Sequence, residues 1–384
     1  MIRDTIPSSH YDVVVVGARC AGAATAMLLA RAGRRVLLID RGHYGTDTLS
    51  THALMRGAVV QLHRWNLLPA VVAGGAAPIR KATFYYAGDA LSVPINARDG
   101  IDALYAPRRF VLDRLLVDAA AAAGADVVYG MHLRDLQRSA AGRVIGVVLA
   151  LNNDDAAQVH RVRCGVVVGA DGMRSTVARL AGASIYREGR HTSATIYGHW
   201  GGLDVDGYDW YFEPGLSAGA IPTNGGQVCV SLSVPGREFT RLFAHQQDSA
   251  FRELLSQVAP ALARQIAAAG QARLHGFAGH PGFFRRAHGP GWALVGDAGY
   301  FKDPLTAHGI TDALRDAELV ASAIEAGSDA ALADYQEQRD AASLDLFETT
   351  DAIASFSWNL TEVRVLHEAL ARAMSREVKL LARA

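Results

Sequence analysis

The sequence predicts an α/β fold of two lobes with a helical tail, and three observations predict it. The first forty residues run strand, glycine turn, helix, strand. Between Ser193 and Val234, short stretches rich in Tyr, Trp, Val and Ile alternate with Gly, Pro and Asn turns, as in an antiparallel sheet. From Gly309 almost to the end the pattern is helical. A chain of 384 residues exceeds the usual extent of one hydrophobic core, so two packed lobes are expected within one folded unit.

The opening unit has an apolar strand from Asp12 to Val16, a glycine turn, a helix from Ala21 to Ala32, and a second strand from Arg35 to Ile39. Ala23, Ala26, Met27 and Ala30 give that helix a buried stripe at helical spacing, and Gly33 stands where a C-terminal cap belongs. The polar stretch His43 to Gly57 leads into a helix ending at Leu68. Strand-like segments from Ala82 to Tyr86 and from Leu91 to Pro94 make a first visit to the second lobe. A helix from Arg109 to Ala123, a strand from Asp126 to Tyr129, a hairpin turn at Ala140 to Gly142 and an apolar strand from Gly165 to Val168 return to the first. Trp292 to Val295 begins a second return. The expected division is 1–75, 100–180 and 275–330 in a discontinuous nucleotide lobe, 76–99 and 181–274 in a substrate lobe, and 331–384 in a C-terminal helical segment.

Composition narrows the function. Hydrophobic residues make up 50% and charged residues 20%, the balance of a compact globular chain. Lys plus Arg equals Asp plus Glu at 38 each, so no net field favours nucleic acid or an anionic membrane, and a small molecule is the expected partner. Cys20, Cys164 and Cys229 are odd in number and lack metal-ligand spacing, so neither a metal nor a disulfide framework is expected. The opening MIRDTIPSSH lacks the apolar core of a signal peptide, and no later run approaches the ~18 apolar residues of a membrane span; a cytoplasmic location without membrane insertion is the expectation.

The chemistry starts at Gly17-Ala18-Arg19-Cys20-Ala21-Gly22, placed after a strand and before a helix, with Asp40 and Arg41 closing the next strand. Small residues let the backbone approach a pyrophosphate, the helix N-terminus offers unpaired N–H groups, and an acid accepts ribose hydroxyls. Arg19 departs from the pattern, because it occupies the place of the second glycine. This motif alone does not separate FAD from NAD. A second block, Val166-Val167-Val168-Gly169-Ala170-Asp171-Gly172-Met173-Arg174-Ser175, and a third, Leu294-Val295-Gly296-Asp297-Ala298 followed by Phe301, Asp303-Pro304 and His308-Gly309-Ile310, supply the discrimination.

In order and spacing these three blocks resemble the signatures of the p-hydroxybenzoate-hydroxylase-like superfamily of FAD enzymes, across residues 11 to 326. The superfamily includes group A flavin monooxygenases, flavin-dependent halogenases and geranylgeranyl reductases. The resemblance implies a Rossmann-like FAD-binding lobe with an inserted antiparallel β-sheet substrate lobe. It places Asp297 at the ribityl chain or pyrophosphate, and the Asp171-Gly172 turn beside the cofactor, where it is linked to NAD(P)H binding. Arg109-Phe110-Val111-Leu112-Asp113 resembles the family's Arg-x-x-Leu-Asp helix start, whose arginine approaches the FAD phosphates; Arg108 is the alternative. Ile310, Ala313, Leu314 and Ala317 form the stripe of a helix whose first turn, at Gly309, would favour a reduced, anionic flavin by about 0.3 to 2 kcal/mol according to burial.

The third block departs from the hydroxylases. They carry Ala-His after Gly-Asp, whereas here Ala298-Gly299-Tyr300-Phe301-Lys302-Asp303-Pro304 looks closer to halogenases and geranylgeranyl reductases. The halogenase Trp-x-Trp-x-Ile-Pro signature is missing, and Tyr208-Asp209-Trp210-Tyr211-Phe212 only partly resembles the Tyr-x-Trp-x-Phe-Pro strand of the prenyl reductases, since the proline falls late, at Pro214.

His52 and His308 are the candidate catalytic groups, since histidine titrates near neutrality, with a structural hydrogen bond as the competing reading. Lys302 is read as a solvated lysine ahead of a charge beside the ring. Tyr197, Trp200, Tyr208, Trp210, Tyr211 and Phe212 would give the second lobe an aromatic wall, about half of them facing one cavity. Phe356-Ser357-Trp358 would cover the lobe junction or form a homodimer surface.

The expected activity is an NAD(P)H-dependent monooxygenase hydroxylating an aromatic or polycyclic small molecule through a flavin C4a-hydroperoxide. NAD(P)H would be a transient electron donor, since no second glycine-rich unit appears. The alternatives are a geranylgeranyl-reductase-like reductase of carbon–carbon double bonds and, from another class, a flavin-binding protein without turnover. FAD would lie extended, its adenosine end at Gly17, Ala18, Cys20, Ala21, Gly22, Asp40 and Arg41, and its ring at the lobe boundary near Gly309 and Ile310.

Overall fold

The computed structural model describes residues 2–3, 5–151, 159–244 and 246–382. It is an α/β structure built on two large sheets. Strands His10–Val16 and Val36–Asp40 are the first βαβ unit and pair in parallel, Val13 to Val36 through Val16 to Ile39. The sheet continues to Asp126–Tyr129 on one side and to Val159–Gly169 and Trp292–Leu294 on the other, again in parallel. Its β-branched residues are buried from both faces, since helices Cys20–Arg31, Arg109–Ala122 and Gly309–Ala326 cover one face and the hairpin Met131–Arg138/Val144–Leu151 the other.

The second sheet has seven strands in the order His275–Phe277, Ser193–Gly201, Gln227–Pro235, Leu216–Pro222, Tyr208–Glu213, Lys81–Tyr86, Asp89–Pro94. Its strands thus come from two separated stretches of chain, and His275–Phe277 extends it past the boundary that the sequence suggests at residue 274. The outer face, carrying Ala194, Ile196, Ala218, Val230 and Leu232, packs under helices Gln247–Val258 and Pro260–Ala269, which sequence patterning alone does not single out. The inner face carries Tyr197, Tyr208, Ile221 and Cys229 and joins the core of the nucleotide lobe. A strand alternates faces at every residue. Trp200 and Tyr211 therefore leave the expected aromatic wall for the outer face, where Trp200 stacks on Phe251 and Tyr211 on Tyr85.

The tail is helical, as the periodicity indicates: Gly309–Ala326, Asp329–Ala354 and Leu360–Leu381. Phe356 and Trp358 are buried against Tyr86 and Phe212 of the inner face, so the segment covers the sheet. No described helix is long and apolar enough to cross a membrane.

Candidate functional site

The site grows from the places where the three blocks touch. Gly22 lies against the turn that precedes its own helix: a Cβ there would sit 1.8 Å from the Gly17 carbonyl oxygen and 3.0 Å from the Ala170 Cβ. Gly17, at φ 105°, is pressed equally hard, with Ala170 O 2.4 Å from any added Cβ. The second block is therefore wedged onto the first. The third reaches it too, because a Cβ on Gly296 would come within 3.0 Å of the Ala21 Cβ. Blocks separated by more than a hundred residues share one cleft.

Helix Cys20–Arg31 begins there without a side-chain cap. Its first backbone bond runs from Ala23 N to Arg19 O, which leaves the amides of its first turn free for an anion. Arg19, the residue replacing the second glycine, lines a groove with Asp40, Thr46, Asp113 and Tyr129. Asp40 accepts from Ala18 N at 2.7 Å and from Gly42 N at 2.6 Å, one bond per oxygen, so lone pairs remain for ribose hydroxyls. Arg41 follows it, exposed.

Arg109 lies under the glycine turn in a bidentate pair with Asp113, whose Oδ1 also accepts from the Cys20 thiol at 3.1 Å. Arg108 faces the other lobe, donating to Asp47 Oδ2 at 2.6 Å and Gln227 Oε1 at 3.2 Å. It ties the His43 to Gly57 stretch to the second sheet. The Asp171 carboxylate is committed locally: it accepts from Ser175 Oγ and from Thr176 N, and so builds the start of helix Thr176–Ala181. Only the backbone of the Asp171-Gly172 turn is left to meet a cofactor, with open space where a Gly172 Cβ would stand.

Asp297 is exposed although both its neighbours in the chain are buried. Protein hems it closely enough that burial pushes its carboxyl up to about 6, with Asp312 adding to the shift and Arg109 and Lys302 opposing it. Gly309 is likewise exposed and has nothing within 4 Å of an added Cβ, while Ile310 is half-buried behind it. Helix Gly309–Ala326 has no side-chain cap, so the amides of its first turn also face open space. The residues fit an extended dinucleotide: two helix starts without side-chain caps, glycines at the points of closest approach, and the Asp40 and Asp297 carboxylates.

His308 and Lys302 do not line this cleft. His308 is 1% exposed, with Nε2 bonded to Glu377 Oε2 at 2.6 Å, and Lys302 is buried in an ion pair with Asp312 over the Tyr300 ring. The solvated reading of Lys302 is thus replaced by an ion pair. Asp303 ties the third block to the second sheet, accepting from Ser193 N and Ser193 Oγ, each at 2.6 Å. Its burial raises the carboxyl to about 6.

His52 stands elsewhere. It is 1% exposed, adopts φ 70°, and brings Nε2 within 3.0 Å of His199 Nε2 on the inner face of the second sheet. Desolvation first, then mutual repulsion and Arg108, lowers His52 to about 3; burial and Arg108 lower His199 to about 4. Two neutral imidazoles sharing one proton position result, one donating and one accepting. A left-handed non-glycine residue costs backbone energy and marks a constrained position. The sequence pointed to His52 but gave no sign of His199, whose partnership depends on strand register.

Two groups bring three metal-ligand atoms within 4.8 Å of one another: His52, His199, Cys229 and His308, Asp312, Glu377. In the first the imidazoles already bond each other beside the Arg108 cation. In the second the carboxylates already hold Arg315 and Lys302. Neither arrangement is built around a dication.

The comparisons with known proteins agree with this geometry. The family model described as FAD binding domain matches residues 10–350. The chain is 28% identical over 349 residues to the menaquinone reductase of Mycolicibacterium smegmatis, covering 83% of this chain and 78% of that protein. It is 31% identical over 331 residues to digeranylgeranylglycerophospholipid reductase 2 of Methanothermobacter thermautotrophicus, covering 83% and 79%. Among solved structures it resembles Pseudomonas aeruginosa PqsL, described as a probable FAD-dependent monooxygenase, with a TM-score of 0.79, 23% identity and coverage of 95% and 100%. With its three blocks locked around one cleft and the family model spanning most of its length, the chain belongs to the FAD-binding-domain family and is an FAD-dependent oxidoreductase of the p-hydroxybenzoate-hydroxylase-like superfamily.

Proposed function

We propose that this oxidoreductase reduces a carbon–carbon double bond of an apolar, isoprenoid- or ring-bearing small molecule. This reverses the order expected from sequence, where hydroxylation came first, because the relatives at 28–31% identity are named as reductases of menaquinone and of a geranylgeranyl lipid. The single observation that carries the reading is the inner face of the second sheet. Trp210 lies against Gly219, where an added Cβ would meet its ring at 2.9 Å, with Tyr208 and Tyr197 beside it and the His52–His199 pair at its polar end. Trp210 and His199 are the half-buried members of that face, and an apolar body with one oxygenated end would meet it there.

When bound, FAD supplies the two-electron chemistry. The backbone of Gly17, Ala18, Cys20, Ala21 and Gly22 would hold its pyrophosphate with Arg109, and Asp40 and Arg41 its adenosine end. Asp297 would hold the ribityl chain, Gly309 and Ile310 the ring edge, and the Asp171-Gly172 turn would flank the cofactor. Saturating a double bond also needs a proton at one carbon. That proton comes from solvent, and the neutral His52–His199 pair would pass it on, one ring nitrogen taking up a proton as another releases one. NAD(P)H is the proposed transient electron donor and the cytoplasm the proposed location.

The second reading is monooxygenation, favoured by the likeness of fold to PqsL. Reduced holoprotein would be incubated with menaquinone, geranylgeranyl and aromatic panels, with and without air, and the products weighed by mass spectrometry. A gain of two hydrogens without oxygen supports the first reading. A gain of one oxygen, in air only, overturns it for the second, and flavin that stays inert with every nicotinamide and substrate overturns both.

A further inference from the structure

The last helix of the chain reaches into the interior at one residue. Glu377 is 1% exposed and accepts from His308 Nε2 and from Arg315 Nη1, each at 2.6 Å. Arg315 also pairs with Asp312 and Asp316, each at 2.9 Å, and Asp312 holds Lys302. Each of these residues is 5% exposed or less. Two fixed cations, Lys302 and Arg315, thus face three carboxylates, Asp312, Asp316 and Glu377, with His308 between them.

Buried ionic groups are a poor way to stabilise a fold, because desolvation offsets most of their attraction and apolar packing commonly does as well. The location of this network gives another reason for it. Asp316 Oδ2 accepts from Gly296 N at 3.1 Å, which fixes the turn presenting Asp297. His308 is the residue before helix Gly309–Ala326, whose open first turn faces the cleft. Lys302, Asp312 and Asp316 all act electrostatically on the Asp297 carboxyl. Among the described residues, the Nδ1 of His308 and the hydroxyls of Tyr300 and Thr311 are buried without a hydrogen-bond partner at this same place. Glu377 lies beyond residues 10–350, so the family match does not include it.

We propose that Glu377 is a positioning residue of the FAD site, through which the terminal helix sets the geometry and the electrostatic potential at the flavin's ring end. The inference rests on FAD occupying the cleft as described above. A carboxylate at this depth disfavours the extra negative charge of reduced flavin, and Lys302 in the same network favours it. The two charges should therefore act on the cofactor with opposite sign.

The test measures FAD affinity and the two-electron midpoint potential of bound FAD in the wild type, Glu377→Gln and Lys302→Gln, with circular dichroism as the check on folding. Glu377→Gln should weaken oxidised FAD several-fold and favour reduced over oxidised flavin by about tenfold, a rise of ~30 mV. Lys302→Gln should move the potential the other way by a similar amount. Failure of the wild type to bind FAD would overturn the cofactor reading itself. A wild type that binds FAD, with folded variants whose affinity and potential do not move or move with the same sign, overturns only the role of Glu377. If one variant fails to fold, the other decides by its sign. Loss of fold in both overturns the proposal in favour of a purely structural network.

Discussion

The nucleotide cleft and the inner face of the second sheet, the two ends of the candidate site, are built differently. At the glycine end the work is done by backbone: free amides, close contacts that exclude any Cβ, and a carboxylate that steadies the turn and still has lone pairs to offer. At the end facing the second sheet it is done by side chains from distant strands and loops, such as His52 against His199 and Arg108 against Asp47. A binding surface made of backbone constrains which residues can occupy a short segment. One made of side chains constrains only what meets across the fold.

The sharpest way to break the first end is Gly22→Ala. The methyl would stand 1.8 Å from a backbone carbonyl oxygen that no rotamer can move. Overpacking of this kind costs about 1 to 3 kcal/mol or more, so FAD affinity should fall by ~100-fold, read as protein purified without flavin absorbance. A Gly22→Ala protein that remains yellow with unchanged FAD titration would remove the tight turn from the account. In folding stability the larger loss belongs to Arg315→Met. It leaves Asp312, Asp316 and Glu377 facing each other without their shared cation. Breaking such a group typically costs about 3 to 5 kcal/mol, and urea unfolding would measure it.

The same contrast explains what could be read from the chain. The three blocks, the first βαβ unit and the tail helices were legible because strand, turn and helix signals are local, and because glycines forced by close approach leave a mark at fixed spacing. Asp297 was legible as part of such a block. Asp171 was legible as a marker, but its carboxylate proves to be a helix-capping group, since position in a motif does not say which atoms a side chain will meet. Lys302 was misjudged for the same reason, and His308 stood between a catalytic and a structural reading: their partners, Asp312 and Glu377, are brought to them by a helix start and by the last helix of the chain. His199 carried no signal at all, because one residue of register decides whether it or Gly198 faces His52.

The side-chain end can be tested without touching the backbone end. His52→Asn and His199→Asn should each lower turnover by about 10- to 100-fold while FAD affinity stays level, and the double variant should lose little more, because the two act as one proton position. Additive losses would separate them. A smaller change probes the meeting point. Gly309→Ala places its methyl where no protein atom lies within 4 Å, so the melting temperature should hold while FAD affinity drops roughly tenfold if the ring edge rests there, a loss of about 1.4 kcal/mol. Unchanged affinity would move the ring away from that turn.

A difference in pH dependence also has a sign that separates the two ends. His52 has its pKa lowered from 6.5 to about 3 in the folded protein. Between those values the unfolded chain binds more protons, so the histidine's contribution to stability is complete above about 6.5 and is lost as pH falls. Asp297 and Asp303, raised from 3.8 to about 6, work the other way: the folded state holds their protons more tightly, so their contribution is lost as pH rises from about 4 to 6. The wild-type curve therefore contains opposing slopes and is hard to interpret alone. Comparing it with His52→Gln cancels the carboxyl part. From pH 6 to pH 4 the variant should gain on the wild type by up to about 1.4 kcal/mol per pH unit, measured by urea unfolding of both proteins at matched ionic strength and flavin content. A gap that stays constant over that range would mean that His52 takes up its proton as readily in the fold as in water. The neutral imidazole pair, and with it the proton position assigned to the second sheet, would then have to be abandoned.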